Sequence, residues 1–499
     1  MKRTLTLLGL FTSILIYAQT DNSNFRPCFG NSTASPLEQF RLLTATSKDG
    51  INWTKTNFVL TDNASVVDGI VLSDGTILMY YVAGCENTGS EQSANEIKMV
   101  KSQNNGKTWS YHNVIINNTP AGGTPPVDPN VVLMSNGDIS MLVTIDADQS
   151  GPLKPKSYRA TSTDNGSTYT IVGDSIYSIT DTLILDPENF RVDASTWYIY
   201  SGGVQGQNLL GLSTDDGNSF QHQGLNCTAI SQNPLNCYIC ADITEYNTGN
   251  YIMHAFGDDG NGYEEIVKLS STDCLNWTLD GTALQLNLSS TVESSKVWAP
   301  SVIKLSDGSF LMVYETILPV SWNQTLSSIS IIPEDTTIYV GDTLWFGAIG
   351  EYADQTKRDL TTFSNWNSTM IGVGTIDSRG MFIANGVGTT DVTANENSVT
   401  SNVTTVSVQL PTGINDDLST FPITIYPNPF SDFTIIEIQG IKNQWTWTLY
   451  NSVGQVVQNI TDITEPQLII KKGNLATGVY MYQVQIGNTL VYSGKLTIE

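Results

Sequence analysis

A short box of residues recurs five times along the chain. Each copy has a serine, an aspartate or asparagine two positions later, then a turn residue and an aromatic. The copies begin at Ser47, Ser102, Ser162, Ser213 and Ser271. Their serines are separated by 55, 60, 51 and 58 residues. Such regular spacing is typical of repeat architectures, in which each repeat is one structural module. The sequence therefore predicts a repeat protein.

A second element lies between the boxes, and each copy reads as a strand, a tight turn and another strand. Aligning the copies on one residue each gives steps of 60, 58, 56 and 57 for Asp68, Asp128, Asp186, Asp242 and Ala299. The first box precedes the first hairpin, and the last hairpin has no box after it. Joining these two ends predicts a five-bladed β-propeller over residues 20–320, closed by strands from both ends.

The composition limits the partners of this chain. Its 499 residues carry 23 Lys and Arg against 48 Asp and Glu, a formal net charge of -25. Such a surface repels nucleic acid and anionic membranes. Abundant Tyr, Trp, Thr, Ser, Asn and Gly suit short strands joined by polar turns, so an all-β protein is expected.

The N-terminus is typical of an exported protein. Residues 1–19 combine Lys2 and Arg3 with an apolar run, which predicts a signal peptide, and no later run predicts a transmembrane segment in the mature chain. The six cysteines are then expected to be structural disulfides or buried thiols. Cys237 and Cys240 form a C-x-x-C, also compatible with half of a zinc site or a redox pair.

The box resembles the Asp-box of sialidase-like and related glycan-active propellers. That resemblance implies a turn between the outer strands of a blade, remote from any active site. The box aspartates Asp49, Asp164, Asp215 and Asp273, with Asn104 in the remaining copy, are therefore expected to accept hydrogen bonds from turn amides.

Two further regions follow. Residues 325–409 resemble bacterial immunoglobulin-like domains of the second group through Val340-Gly341, Trp366 and Gly386-Val387-Gly388, which implies a small β-sandwich serving as a spacer or adhesion module. After a linker at 410–420, residues 421–499 resemble the β-sandwich C-terminal sorting domain of the type IX secretion system. Tyr426-Pro427-Asn428-Pro429-Phe430 and Gly478-Val479-Tyr480 carry that resemblance, and Glu499 departs from it. The implied partner is the type IX machinery, and the implied location is secreted or attached to the cell surface.

Carboxylates converge where a propeller gathers its innermost strands, and this convergence resembles the five-bladed glycoside hydrolases. The resemblance implies an inverting mechanism on a polysaccharide or glycoconjugate, with carboxyl groups roughly 6.5–9.5 Å apart. Blade position assigns Asp68 as general base, Asp128 as the pKa-tuning acid and Glu188 as general acid, with Glu293 as a substitute for Glu188.

Substrate contacts are expected from four further residues: Asp186, Arg191, Asp242 and Trp298. The competing interpretation is that the aspartates only cap strand-entry turns, in a propeller that binds a carbohydrate or surface ligand without catalysis. A serine, Ser301, stands where some five-bladed hydrolases carry an acid. No cofactor or protein metal ligand set is predicted, although an oxygen-rich ring is compatible with calcium.

A sialidase-like enzyme is the third alternative. It would need three arginines around a sugar carboxylate. The propeller region offers Arg26, Arg41, Arg159 and Arg191.

Overall fold

The computed structural model describes residues 40–499 except 84–95, 135, 148–153, 181–182, 194, 203–207, 226–237, 259–263, 320–323, 411–422, 442, 452–453 and 487–488. Every regular element among the described residues is a β-strand, which confirms the predicted all-β class. None of them forms a helix long and apolar enough to cross a bilayer. The predicted signal peptide, Arg26 and four cysteines lie outside the described residues. Cys240 and Cys274 are buried free thiols.

The first part of the chain forms twenty-one strands. They are β1 (Phe40–Ser47), β2 (Thr54–Asp62), β3 (Ala64–Val71), β4 (Ile77–Ala83), β5 (Glu96–Ser102), β6 (Ser110–Asn113), β7 (Ile115–Asn117), β8 (Val127–Leu133), β9 (Ile139–Ile145), β10 (Lys156–Ser162), β11 (Thr168–Ile171), β12 (Leu185–Arg191), β13 (Trp197–Gly202), β14 (Asn208–Ser213), β15 (Gln221–Leu225), β16 (Ile239–Asn247), β17 (Asn250–Asp258), β18 (Glu264–Ser271), β19 (Thr278–Gln285), β20 (Ser294–Lys304) and β21 (Phe310–Ile317).

These strands make five blades of four antiparallel strands. Blades one to four are β3–β6, β8–β11, β12–β15 and β16–β19, and β7 adds to the outer edge of blade two. Blade five joins β20 and β21 to β1 and β2, with Phe40 opposite Ile317 and Ser47 opposite Phe310. The predicted closure by both ends of the propeller is therefore present.

Contacts between the blades close the ring. The innermost strands β3, β8, β12, β16 and β20 contact one another in that order, and β20 returns to β3. Five clusters of buried apolar side chains each lie between two neighbouring blades; Leu78 and Tyr80 of blade one, for example, pack with Met141 and Tyr169 of blade two. Each fully buried large apolar side chain stabilises the fold by about 1.5–3 kcal/mol. The ring is thus held by its interblade cores.

Each box is the turn between the third and fourth strands of a blade. In blade three the Ser213 hydroxyl donates to Asp215 Oδ1 at 2.6 Å and accepts the Gly217 amide at 3.0 Å. Asp215 also accepts the amide of Ser219 at 3.0 Å. Gly217 has a φ of +73°, and Cys274 takes the same place in blade four with a φ of 57°. The expected turn role of the box aspartate is therefore observed.

Eleven strands follow the propeller: β22 (Leu326–Ile332), β23 (Thr336–Tyr339), β24 (Thr343–Trp345), β25 (Gly347–Tyr352), β26 (Lys357–Asp359), β27 (Asn365–Ser368), β28 (Gly374–Ile376), β29 (Met381–Ala384), β30 (Gly388–Glu396), β31 (Val399–Thr400) and β32 (Thr404–Gln409). Their sheets enclose a shared core that includes Phe346, Phe382, Val392 and Val406. We call this part the sandwich. Its kinship with immunoglobulin-like domains stays a prediction.

Residues 409–499 form a second compact unit. Its strands are β33 (Ile423–Tyr426), β34 (Phe433–Ile438), β35 (Trp445–Tyr450), β36 (Val456–Ile463), β37 (Gln467–Lys471), β38 (Gly478–Ile486) and β39 (Thr489–Ile498). They form two sheets, β33-β34-β37 and β36-β35-β38-β39. Trp447 stacks on Tyr482 in their common core, with ring centroids 4.7 Å apart.

Candidate functional site

The innermost strands carry two rows of side chains at the centre of the ring. Each strand has an irregularity in its pairing near its start, and the residues there form the bulge row: Val66, Asp128, Asp186, Ala241 and Ala299. The residues that follow form the inner row: Asp68, Asn130, Glu188, Asp242 and Ser301. Inner-row residues pair with equivalent positions of the second strands, namely Tyr80, Leu142, Tyr200, His254 and Val313.

The predicted equivalence of the four aspartates is therefore wrong. Asp68 and Asp242 belong to the inner row, whereas Asp128 and Asp186 belong to the bulge row. The dipeptides Asp68-Gly69 and Asp128-Pro129 look alike in sequence, but the bulge precedes the first and contains the second. Pairing register, which the sequence does not show, decides the row to which each aspartate belongs.

The inner row links each blade to the next. Four of its side chains accept a hydrogen bond from a backbone amide of the following blade: Val131 to Asp68 at 2.6 Å, Asn189 to Asn130 at 3.0 Å, Ile243 to Glu188 at 3.1 Å and Val302 to Asp242 at 2.8 Å. The Ser301 hydroxyl closes the circle by donating to Asp68 Oδ1 at 3.0 Å. We call this circle the inner belt.

Asn130 lies between the two acids predicted as base and acid. Its Nδ2 donates to Asp68 Oδ2 at 3.1 Å and to Glu188 Oε2 at 2.6 Å. These two oxygens are therefore no more than 5.7 Å apart, and an amide occupies the space between them. Every carboxylate oxygen of Asp68 and Glu188 already accepts a hydrogen bond from the protein. Both carboxyl groups are therefore hydrogen-bonded within the protein on each oxygen.

Burial dominates the electrostatics of the inner belt. It raises the pKa of Asp68 to about 7. Burial, followed by the charge of Asp68, raises the pKa of Asp242 to about 8. Burial, followed by the charges of Asp242 and Asp68, raises the pKa of Glu188 well above its usual value. The three acids favour a protonated state because they share a poorly solvated ring.

The bulge row presents the second pair of acids. Asp128 and Asp186 have φ angles of 53° and 47°, in the left-handed region that aspartate tolerates better than most residues. The Asp186 amide donates to Asp128 Oδ2 at 3.3 Å. Burial raises the pKa of both acids, and the charge of Asp128 raises that of Asp186 further. As whole residues, Asp186 is half-buried and Asp128 is buried.

A cavity of about 30 Å³ opens against these acids. It is lined by the bulge row together with Val67, Asp68, Pro129, Asn130, Pro187, Glu188, Phe256 and Pro300. This volume has room for one or two water molecules beside the carboxyl groups of Asp128 and Asp186.

Glu315 belongs to this neighbourhood and was missed from the sequence. It lies in β21, accepts the Val66 amide at 3.2 Å and bonds the Ser65 hydroxyl. Burial raises its pKa to about 7, and its charge contributes to the raised pKa of Asp186. Its signal was an isolated acid within the apolar strand FLMVYETI.

Two predicted site residues lie elsewhere. The Arg191 guanidinium lies 3.9 Å from Asp216 and stacks over Trp197 at 5.7 Å, and it does not line the cavity. Glu293 pairs with Lys55 and accepts the Asn287 amide, so it is not a substitute for Glu188 at the cavity.

Trp298 is an indirect neighbour of the cavity. It is half-buried and packs edge-on against Phe256, with ring centroids 5.5 Å apart. Phe256 lines the cavity, so the tryptophan supports its wall.

The arginine cluster of a sialidase is not formed by the described arginines of the propeller. Arg41 is buried against Asp62 at 2.6 Å. Arg159 donates to Asn218 at 3.2 Å and, like Arg191, stacks over Trp197. Within the described residues, no group of three or more His, Cys, Asp or Glu has an arrangement that could hold a metal ion. Calcium at the ring centre stays a prediction.

Comparisons with known proteins return distant matches for the greater part of the chain. A curated relative, ice-binding protein 1 of Shewanella frigidimarina, is 28 % identical over 185 residues, which is 37 % of this chain. The matched region spans 19 % of that relative.

Several solved glycoside hydrolases resemble the structure weakly. A family 117 glycoside hydrolase of Zobellia galactanivorans has a TM-score of 0.35 at 13 % identity and covers 60 % of this chain and 92 % of its own. An α-L-arabinofuranosidase of Clostridium thermocellum has a TM-score of 0.37 at 13 % identity, with coverages of 68 % and 93 %. A family 43 β-xylosidase/α-arabinofuranosidase from a compost metagenome reaches 0.39 at 14 % identity, with coverages of 59 % and 93 %. The fold assignment rests on the strand pairing described above.

The C-terminal unit gives the specific match. Residues 424–499 match the family model described as a secretion system C-terminal sorting domain. The match lies within the predicted 421–499 and implies that the protein is exported. Residues 424–499 are therefore a member of the secretion-system sorting-domain family.

Proposed function

We propose that this protein is an exported glycan-directed propeller that hydrolyses a glycosidic bond at the ring centre. The observation that carries the proposal is the pair Asp128 and Asp186, which lies in strained left-handed backbone at a water-sized cavity. Neighbouring acids with raised pKa values and local backbone strain are concentrated at functional sites. Export by the sorting domain is consistent with a substrate outside the cell.

The pair supplies the two roles that glycoside hydrolysis needs. Two neighbouring carboxyl groups cannot both ionise easily, so one remains protonated near neutral pH. We assign Asp186, whose pKa the charge of Asp128 raises further, as the acid that protonates the leaving oxygen, and Asp128 as the base that takes a proton from the attacking water. The water oxygen bonds to the anomeric carbon as the glycosidic bond breaks. This assignment replaces the base and acid roles suggested by sequence for Asp68 and Glu188, which we propose are struts of the inner belt.

Isosteric substitution of the acid tests the proposal. The full-length chain is assayed for reducing-end release on a panel of polysaccharides and aryl glycosides. Asp186→Asn keeps shape and left-handed backbone but cannot donate the proton, so kcat is expected to fall about 100-fold or more. Asp280→Asn, at an exposed position of β19, is the matched control and should keep full turnover. Full turnover by Asp186→Asn on a substrate that the native chain cleaves would refute the assignment.

A non-catalytic glycan-binding propeller is the second candidate. It is favoured by the small cavity and by the inner belt, whose carboxylates are already hydrogen-bonded within the protein. No sugar release by the native chain, together with retained glycan binding by the Asp186→Asn variant on an array, would support this candidate.

A further inference from the structure

The sandwich is attached to the blade that closes the ring. Its strand β26 pairs in parallel with β2, with Lys357 opposite Phe58. One sheet therefore runs through blade five into the sandwich, in the order β20-β21-β1-β2-β26-β25-β22. A spacer joined only through its linker would leave the outer edge of β2 open, and exposed strand edges need cover. Here the sandwich strand β26 covers part of that edge.

Buried charges bridge the same boundary. The Arg41 guanidinium of blade five donates to Asp62 at 2.6 and 3.2 Å, and Arg358 of the sandwich reaches the same carboxylate at 3.7 Å. All three residues are at most 1 % exposed. Arg358 also lies over the ring of Tyr352 at 4.8 Å. Removing one member of a buried charge cluster is costly because the remaining charges lose compensation in a poorly solvated place.

Further contacts reach both sides of the ring closure. The amide of Trp109, at the box of blade one, donates to Asp359 Oδ2 at 2.7 Å. The Thr291 hydroxyl, just before blade five, donates to the Asp354 carbonyl at 2.6 Å. Ile349 of the sandwich packs against the apolar cluster between blades five and one. The sandwich thus holds the two blades that meet where the chain ends are joined.

We propose that the sandwich is a latch that keeps the propeller ring closed, so that ring and sandwich open together. Blade five is assembled from distant parts of the chain, because β20 and β21 pair with β1 and β2. Bringing these strands together therefore costs more loop-closure entropy than forming any other blade. The sandwich stabilises the closure of blade five through contacts of β26, Arg358 and Asp359 with blades five and one. This inference is independent of the proposed glycan chemistry.

Hydrogen exchange on the full-length chain tests the latch. Arg358→Met removes the sandwich charge that reaches Asp62 and keeps much of the side-chain volume. The amides of β1 and β2 in the variant are expected to exchange about ten- to a hundredfold faster than in the native chain. Arg379→Met is the matched control, because Arg379 pairs with Asp377 at 2.9 Å within the sandwich. It should leave exchange in β1 and β2 unchanged.

A milder variant keeps the test decisive if Arg358→Met does not fold. Thr291→Val removes one hydroxyl from the propeller side of the interface, and exchange in β1 and β2 should then rise severalfold. Faster exchange confined to β25 and β26, with β1 and β2 as protected as in the native chain, would overturn the latch. The sandwich would then be an independently folding appendage.

Discussion

At the scale of single residues, aspartates of this molecule have pKa values shifted in opposite directions by their surroundings. Asp215 lies in an exposed box turn, where hydrogen bonds from Ser213 and Ser219 lower its pKa to about 2. Asp242 lies in the inner belt, where burial and then the charge of Asp68 raise its pKa to about 8. The box aspartate is therefore a charged turn cap, whereas the belt aspartate favours the protonated form.

The turn cap makes a stability prediction. Asp215→Ala should lower the free energy of unfolding by about 1 kcal/mol, a typical value for a lost capping interaction. Because the native pKa is lowered, this contribution is present above pH 4 and is lost as the pH falls toward 2. Thermal unfolding of the native chain, Asp215→Ala and Asp280→Ala at pH 7 and pH 3 measures it. Equal midpoints for Asp215→Ala and the native chain at pH 7 would contradict the cap.

At the scale of elements, the innermost strands combine two functions in one short segment. Their bulge row turns side chains toward the cavity, and the residues that follow bind the next blade. The bulge is what separates the two rows, because it changes the alternation of side chains along the strand. The acid that we propose for chemistry and the acid that bonds the next blade therefore lie two residues apart, as Asp186 and Glu188 do.

The inner belt predicts that stability falls as the pH rises. Its acids have raised pKa values in the folded state, so the native protein binds more protons than the unfolded chain between about pH 4 and pH 8. Stability is then highest near the lower end of this window and is lost as the pH rises through 8. The loss should be on the order of 1 kcal/mol or more, since a single pKa unit corresponds to roughly that much.

Urea unfolding at pH 5 and pH 8 provides the measurement. Asp242→Asn removes one titrating group and should flatten the dependence, whereas Asp280→Asn should leave it as in the native chain. An identical pH slope in Asp242→Asn would show that Asp242 does not titrate in the folded protein over this range.

At the scale of the whole molecule, the chain divides into residues 1–408 and a C-terminal unit at 409–499. The first unit combines the ring and the sandwich, which share one continuous sheet. The second has its own core and matches a sorting domain. The ring with its candidate site and the sorting domain for export therefore lie in different units of the chain.

This division predicts the effect of losing the tail. A chain ending at residue 409 should fail to leave the cell, because the sorting domain is missing, yet should keep the unfolding midpoint of the first unit. Immunoblots of cell and medium fractions, with thermal unfolding of the purified shortened chain, measure both. Secretion of the shortened chain at native levels would show that the tail is dispensable for export.

The sequence by itself determined the features that repeat or that are local. Box spacing predicted the five blades, and the unmatched box and hairpin at the two ends predicted their closure. The turn role of the box aspartates followed from residues adjacent in the chain. The tail motif around Tyr426 and Pro427 identified the sorting domain. These features could be predicted because local hydrogen bonds and repeated units depend on residues that are close together or regularly spaced in the sequence.

Only the tertiary structure decided which acids meet and what each contacts. A bulge shifts the pairing register, and no sequence motif indicates where it lies. Asp68 and Asp128 therefore looked equivalent in sequence but belong to different rows. Asn130, Ser301 and Glu315 acquire their roles from neighbouring blades. The joint between β2 and β26 depends on residues 299 positions apart, Phe58 and Lys357. Long-range packing sets these contacts, and no local pattern encodes them.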